Sequence, residues 1–203
     1  MTLLDRRQTD AIGVEFTAVL ETARLVLRKP RLEDAKQVAA LAGDRRIAEN
    51  TARIPHPYGI EDARQWISAA ISRPATYAIT IGGEVIGACG LDGSPPYPIA
   101  SPNLPSAARR EGVGDGREEA ELGYWIGRPF WGFGYMTEAA RRLIDHAFGN
   151  LGYQVLTAGA RVSNPASRRV LEKCGFQWTG VGLRRIRAIA SSVPVDRFRL
   201  ERP

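Results

Sequence analysis

Arg128-Pro129-Phe130-Trp131-Gly132-Phe133-Gly134-Tyr135-Met136-Thr137-Glu138-Ala139 is a glycine-punctuated turn between an apolar run and a helical pattern. Glycine lets a backbone approach a ligand closely, and the first-turn N–H groups of a helix have no partner inside it. Together they form a cradle for an anion such as a diphosphate. Taken alone, a G-x-G before a helix reads equally well as a tight connection with no ligand. The third glycine of the dinucleotide fingerprint is absent, as is the Gly-Lys-Ser/Thr of a P-loop, so those two nucleotide classes are disfavoured.

Working outward, Glu119 to Gly127 reads as the strand that feeds the turn, and Tyr135 to Phe148 as the helix that leaves it, with Ala139, Ala140, Leu143, Ile144, Ala147 and Phe148 inward. Downstream come a strand from Tyr153 to Ala160, a short helix from Pro165 to Cys174 stopped by Gly175, a strand from Phe176 to Val181, and a last strand from Val193 to Leu200. Upstream, Tyr77 to Ile81 and Glu84 to Cys89 flank Gly82-Gly83, the signature of an antiparallel hairpin. Helices are expected from Leu32 and from Glu61 to Ser72, and a short strand at Arg24 to Arg28. The pattern predicts a mixed α/β fold: one layered domain over residues 21–203, with six or seven strands and about four helices, preceded by an extension at residues 1–20.

Between the hairpin and the Glu119 strand, residues 92–118 hold Pro95, Pro96, Pro98, Pro102 and Pro105, then Gly112, Gly114 and Gly116. So long a stretch without pattern inside one domain is either a functional flap or a mobile insertion; a domain linker is the third reading, disfavoured because strand pattern resumes at once.

Composition narrows the function. The 203 residues are 44% hydrophobic and 25% charged, within the globular range. Two cysteines and two histidines give neither a disulfide framework nor a metal-ligand cluster, so no metal is expected. No stretch approaches a membrane span, and a reducing cytoplasm is the default setting. Much of the net charge of +6 lies C-terminally, where six arginines from Arg184 to Arg202 face only Asp196 and Glu201. Nucleic-acid binding would want interleaved aromatics, and Phe198 alone does not supply them.

A second motif resolves the ambiguity of the first. Asn164-Pro165-Ala166-Ser167-Arg168-Arg169-Val170-Leu171-Glu172-Lys173-Cys174-Gly175-Phe176 lies one helix later. Together with Glu121-Leu122-Gly123-Tyr124-Trp125-Ile126, the glycine turn and the opening Thr22-Ala23-Arg24-Leu25-Val26-Leu27-Arg28, it resembles the GNAT superfamily of acetyl-CoA-dependent N-acetyltransferases. The match is to the Rim type, which acetylates the N-termini of ribosomal proteins, and it spans roughly Glu21 to Leu200.

The resemblance implies that Trp125 and Ile126 pair with the pantetheine arm of acetyl-CoA. It places the pyrophosphate on the main-chain N–H groups of Gly132, Phe133, Gly134, Tyr135, Met136 and Thr137. Asn164 would bind the pantetheine side as well as cap its helix. Many members carry a tyrosine general acid where Leu171 stands; Ser167, one turn earlier, is the implied replacement. Glu121 is the candidate base, and a backbone N–H near Trp125 or Ile126 would hold the oxyanion. Pro129 departs from the family's usual Gln or Arg and removes a donor.

The expected reaction moves acetyl to a primary amine by direct attack in a ternary complex. A protein N-terminal α-amine, as on a ribosomal protein, is the first acceptor. A small amine, or a catalytically weak acyl-CoA-binding regulatory role, is the alternative. Trp66, Phe148, Phe176 and Cys174 read as packing residues, Glu138 as a favourable charge in a first helical turn, and His56 as a solvated loop histidine.

Overall fold

The computed structural model describes residues 19–93 and 119–203. All but the first two residues of the expected flap, of which Asp92 ends β4, and all but the last two of the expected extension therefore lie outside the described residues. Within them the chain runs β1 (Leu20–Glu21), β2 (Val26–Arg28), α1 (Ala35–Ala42), α2 (Arg45–Ala48), α3 (Ile60–Ile71), β3 (Thr76–Ile81), β4 (Glu84–Asp92), β5 (Glu119–Ile126), α4 (Tyr135–Gly149), β6 (Val155–Arg161), α5 (Pro165–Lys173), β7 (Gln177–Ile186) and β8 (Ser191–Glu201).

All eight strands join one sheet in the order β1-β2-β3-β4-β5-β6-β8-β7. Every pairing is antiparallel except β5 with β6. The sequence pattern lacks the two-residue β1, which is too short to show alternation, and α2, a single turn started by the Asp44 side chain accepting from Arg46 N. It also stops β7 early, because Gly180 and Gly182 interrupt the apolar run whereas the hairpin with β8 carries pairing on to Ile186. The Gly82-Gly83 hairpin forms as expected, with φ of 57° and 89°.

The sheet separates two apolar layers. On one face α4 lays Met136, Ala139, Ala140, Leu143 and Ala147 against Leu122, Leu156 and Phe198. On the other, α1 and α3 bury Val38, Ala63 and Ile67 over Ala78 and Val85. Phe148 and Phe176 are core residues and Trp66 packs on the second layer, as their spacing indicates.

What positions the site is the one parallel pair. β5 and β6 pair from Glu119↔Val155 to Leu122↔Ala158 and then part, while β5 stays on β4 as far as Ile126↔Gly87 and β6 stays on β8 as far as Arg161↔Val195. The result is a V-shaped notch at the carboxyl ends of two parallel strands. Each of those ends runs directly into a helix, so the N-termini of α4 and α5 both open there, the usual place for a ligand in a sheet with parallel strands.

Candidate functional site

The notch has a backbone wall on its β5 side. Gly127 N donates to Ile86 O on β4. By the two-residue alternation of a strand, the peptide groups of Trp125 face β4 as well, whereas those of Tyr124 and Ile126 face the notch. The register thus separates the two residues expected to meet a pantetheine arm: Ile126 presents its backbone to the notch, and Tyr124 takes the place expected of Trp125, whose ring packs on the α1–α3 layer. The Ile126 carbonyl already accepts from Trp131 Nε1 at 2.8 Å.

Beyond Ile126 the chain makes a 3-10 turn, Arg128–Phe130, which accommodates Pro129 at its start. It then passes through Gly132 and Gly134 at φ of 85° and 79° into α4. Only glycine takes this left-handed region without strain, and here it lets the chain turn sharply into the first turn of α4. Phe133 and Tyr135 stack beside the turn at 5.7 Å between ring centroids. A surface cavity of about 680 Å³ opens next to it, lined by Gly134, Thr137, Arg141 and Lys173 among others. Backbone donors, positive side chains and room beside them fit a diphosphate.

The β6 side of the notch is the start of α5. The Asn164 side chain accepts from Ser167 N at 3.2 Å, so its capping role is realised with Pro165 as first helical residue. The Ser167 hydroxyl lies 2.9 Å from the Tyr124 hydroxyl, which also reaches Ser167 O at 3.2 Å. Burial pushes the Tyr124 phenol above its usual range, so it stays protonated. Leu171 is fully buried in the core, so that position supplies no acid.

Glu121 lies on the opposite sheet face, one register step before β5 and β6 part. Its carboxylate accepts from Arg184 on β7, and Glu119 pairs with Arg199 at 3.3 Å. On this face nothing lies within 4 Å of a Cβ at Gly123, and the Arg184 guanidinium rests over Gly159. The segment that begins at the end of α2 is tied to the sheet by Arg161 to Glu49 O, by Arg187 N to Ala52 O and by the Arg53–Asp92 ion pair. His56, in the same segment, is exposed.

Sequence reasoning missed Tyr124, Arg184 and Trp131 as site residues. Tyr124 had a signal, since alternation from Leu122 puts it on the helix-covered face. The partners of Arg184 and Trp131 are set by tertiary register. Among the described residues, no group of three or more His, Cys, Asp or Glu side chains is placed to hold a metal.

The acetyltransferase (GNAT) domain family matches residues 24–177. The chain belongs to the GNAT acetyltransferases. It is thus an N-acetyltransferase with acetyl-CoA as its cosubstrate. It is 28% identical to the uncharacterized N-acetyltransferase p20 of Bacillus licheniformis over 80% of this chain and 84% of that protein. Its fold is similar to that of Mycobacterium smegmatis RimJ in complex with CoA-disulfide: TM-score 0.68 and 18% identity, over 87% of this chain and 81% of that one. RimL, a ribosomal α-N-protein acetyltransferase solved with coenzyme A, has a TM-score of 0.70 and 17% identity over 91% of this chain and 98% of its own.

Proposed function

We propose that this GNAT enzyme acetylates the N-terminal α-amine of a protein, with a ribosomal protein as the favoured class, in the reducing cytoplasm. The observation that carries the acceptor class is the sheet face beside the notch, where nothing lies within 4 Å of a Cβ at Gly123 and where Glu121 and Glu119 pair with Arg184 and Arg199. An extended chain end fits such a surface along its length. The fold likeness to RimJ and RimL supports the same choice.

Acetyl-CoA supplies the thioester carbonyl that the amine attacks. In this reading the backbone of Tyr124 and Ile126 pairs with the pantetheine arm, Trp131 yielding the Ile126 carbonyl, and the cradle from Gly132 to Thr137 takes the diphosphate. Asn164 keeps the start of α5 in place beside the arm. The amine must be neutral to attack, and an α-amine titrates at about 8. Glu121, held through one carboxylate oxygen by Arg184, takes the ammonium proton with the other. The nitrogen lone pair then forms the C–N bond, and a notch-facing N–H of Ile126 stabilises the oxyanion. As the C–S bond breaks, the sulfur leaves with the electron pair and takes the Ser167 proton, while the nitrogen sheds its second proton as the amide forms and that proton restores the serine hydroxyl; Glu121 releases the first to solvent.

The test is an acceptor panel followed by CoA release: peptides with free and with blocked N-termini, against lysine, a polyamine and an aminoglycoside. Turnover of free-N-terminus peptides with none of the blocked ones supports the proposal. Faster turnover of the small amines overturns the acceptor class and leaves the family intact.

A further inference from the structure

The glycine turn is held from outside by a residue more than a hundred positions earlier in the chain. Arg24, between β1 and β2, donates through Nε to Glu138 Oε2 at 2.7 Å and through its backbone N to Oε1 at 3.0 Å, and its NH2 is 2.6 Å from Oε2. Thr22 Oγ1 adds a bond to the same carboxylate at 2.6 Å. The other arm of the guanidinium donates to Phe133 O at 3.1 Å, and the group lies 4.6 Å from the centroid of the Tyr135 ring. One side chain therefore grips residues 133, 135 and 138, the span in which Gly134 holds its positive φ.

Glu138 poses a problem for an anion site. It sits in the first turn of α4, where a carboxylate favours the helix dipole but repels a diphosphate brought to the same N–H groups. Burial alone would raise its pKa. The hydrogen bonds from Thr22 and Arg24 outweigh that and hold the carboxyl below its usual range, so the charge is present. Among the described residues its ion-pair partner is Arg24, whose side chain remains 45% exposed against 19% for Glu138. The cavity beside the turn has the same arrangement: Arg24, Arg141, Arg142 and Lys173 surround Glu138 and Asp145, and it stays net positive because the cations outnumber the acids.

We infer that Arg24 is a positioning residue of the cofactor site: it cancels the Glu138 charge and draws the Phe133 carbonyl aside, so that the first turn of α4 meets a diphosphate with its donors unopposed. The inference rests on the reading that the span from Gly132 to Thr137 receives the diphosphate of CoA. Exposure of the guanidinium argues against a purely architectural role, since the fold buries neither its charge nor its full stem.

Charge cancellation and mechanical tethering give opposite signs in a mutant cycle read by calorimetric CoA binding. Arg24→Gln leaves Glu138 uncompensated and weakens binding about three- to tenfold, as expected for a unit charge several ångströms from a dianion near the surface. Glu138→Gln frees the guanidinium and tightens binding about two- to fivefold. The double variant returns to within about twofold of the wild type, and the Arg24→Gln loss shrinks as salt rises. A tether is broken from either end, so weaker binding by Glu138→Gln, or no rescue in the double variant, overturns the inference. Should Arg24→Gln fail to fold, Glu138→Gln decides alone: binding no tighter than wild type overturns it. Gly134→Asp separates the two levels. If a folded Gly134→Asp protein binds CoA normally, the turn is not the site and the inference falls with it. If Gly134→Asp loses binding while Arg24→Gln keeps it, only the role of Arg24 is lost.

Discussion

The hydroxyls of Tyr124 and Ser167 meet at 2.9 Å, joining the strand on one side of the notch to the helix on the other. Tyr124 has two acceptors in reach, both on Ser167, and the shorter contact is to the side-chain oxygen. A phenol that donates there leaves the serine's own proton free for the departing sulfur. The structure thus offers a strand-borne hydroxyl beside the helix whose own tyrosine position is the buried Leu171.

Ser167→Ala is expected to lower kcat about a hundredfold, the usual size of a general-acid effect, with little change in CoA affinity. Tyr124→Phe keeps the ring and its packing and is expected to lose about tenfold. If Tyr124 acts through Ser167, the double variant is no slower than Ser167→Ala. Steady-state kinetics under chemistry-limited conditions check this, and losses that multiply would separate the two residues.

Glu121 is expected to matter most when the acceptor is protonated. Glu121→Gln should depress turnover strongly near neutral pH and much less above the amine's pKa of about 8, where the acceptor is neutral unaided. The pH–rate profile decides: an equal loss at both ends makes Glu121 a group that places the ammonium and abstracts nothing.

The glycine turn gives a prediction on stability. A side chain at Gly134 would meet only the Arg24 guanidinium, at 3.8 Å, and one at Gly132 would meet nothing within 4 Å, so space is not the obstacle. Backbone conformation is, since φ is 79° and 85°. Alanine at either position should cost about 1–2 kcal/mol, and asparagine, which tolerates this region, should cost less. Thermal melts that rank Gly above Asn above Ala support the geometry; an Ala variant as stable as wild type contradicts it.

Local chemistry explains what was legible in the sequence. The Gly82-Gly83 hairpin, the apolar stripe of α4 and the Asn164-Pro165 helix start each depend on neighbours a few residues apart. The notch is not legible in the pattern, because the point where β5 and β6 part is a register event. Two-residue spacing puts Glu119 and Glu121 on one face of their strand but cannot say that Arg199 and Arg184 meet them. Arg184 read as one charge in a basic tail; on β7 its guanidinium lies over Gly159 and reaches Glu121. Arg24 read as part of an opening strand, and its hold on Glu138 crosses the molecule.

The last prediction concerns acid. His146, in the final turn of α4, is 7% exposed, with Nδ1 3.1 Å from Asn150 Oδ1 and its ring edge-on to Tyr77. Burial lowers its pKa, the bond to Asn150 opposes that shift, and the Arg142 charge adds to it. In the unfolded chain a histidine titrates near 6.5. Above that pH both states hold a neutral ring and stability does not depend on it. Below it the unfolded chain takes up the proton first, so stability falls with pH, by at most about 1.4 kcal/mol per unit, until the folded pKa is reached. Asp34 and Glu138, whose pKa values are also lowered, contribute only further down, in the carboxylate range. Melting temperature should therefore drop between pH 6.5 and 5, a window that belongs to His146. His146→Gln, which keeps a partner for Asn150 and carries no titratable proton, should flatten that slope. An unchanged slope in the variant would mean that acid acts elsewhere and that the ring accepts its proton inside the fold.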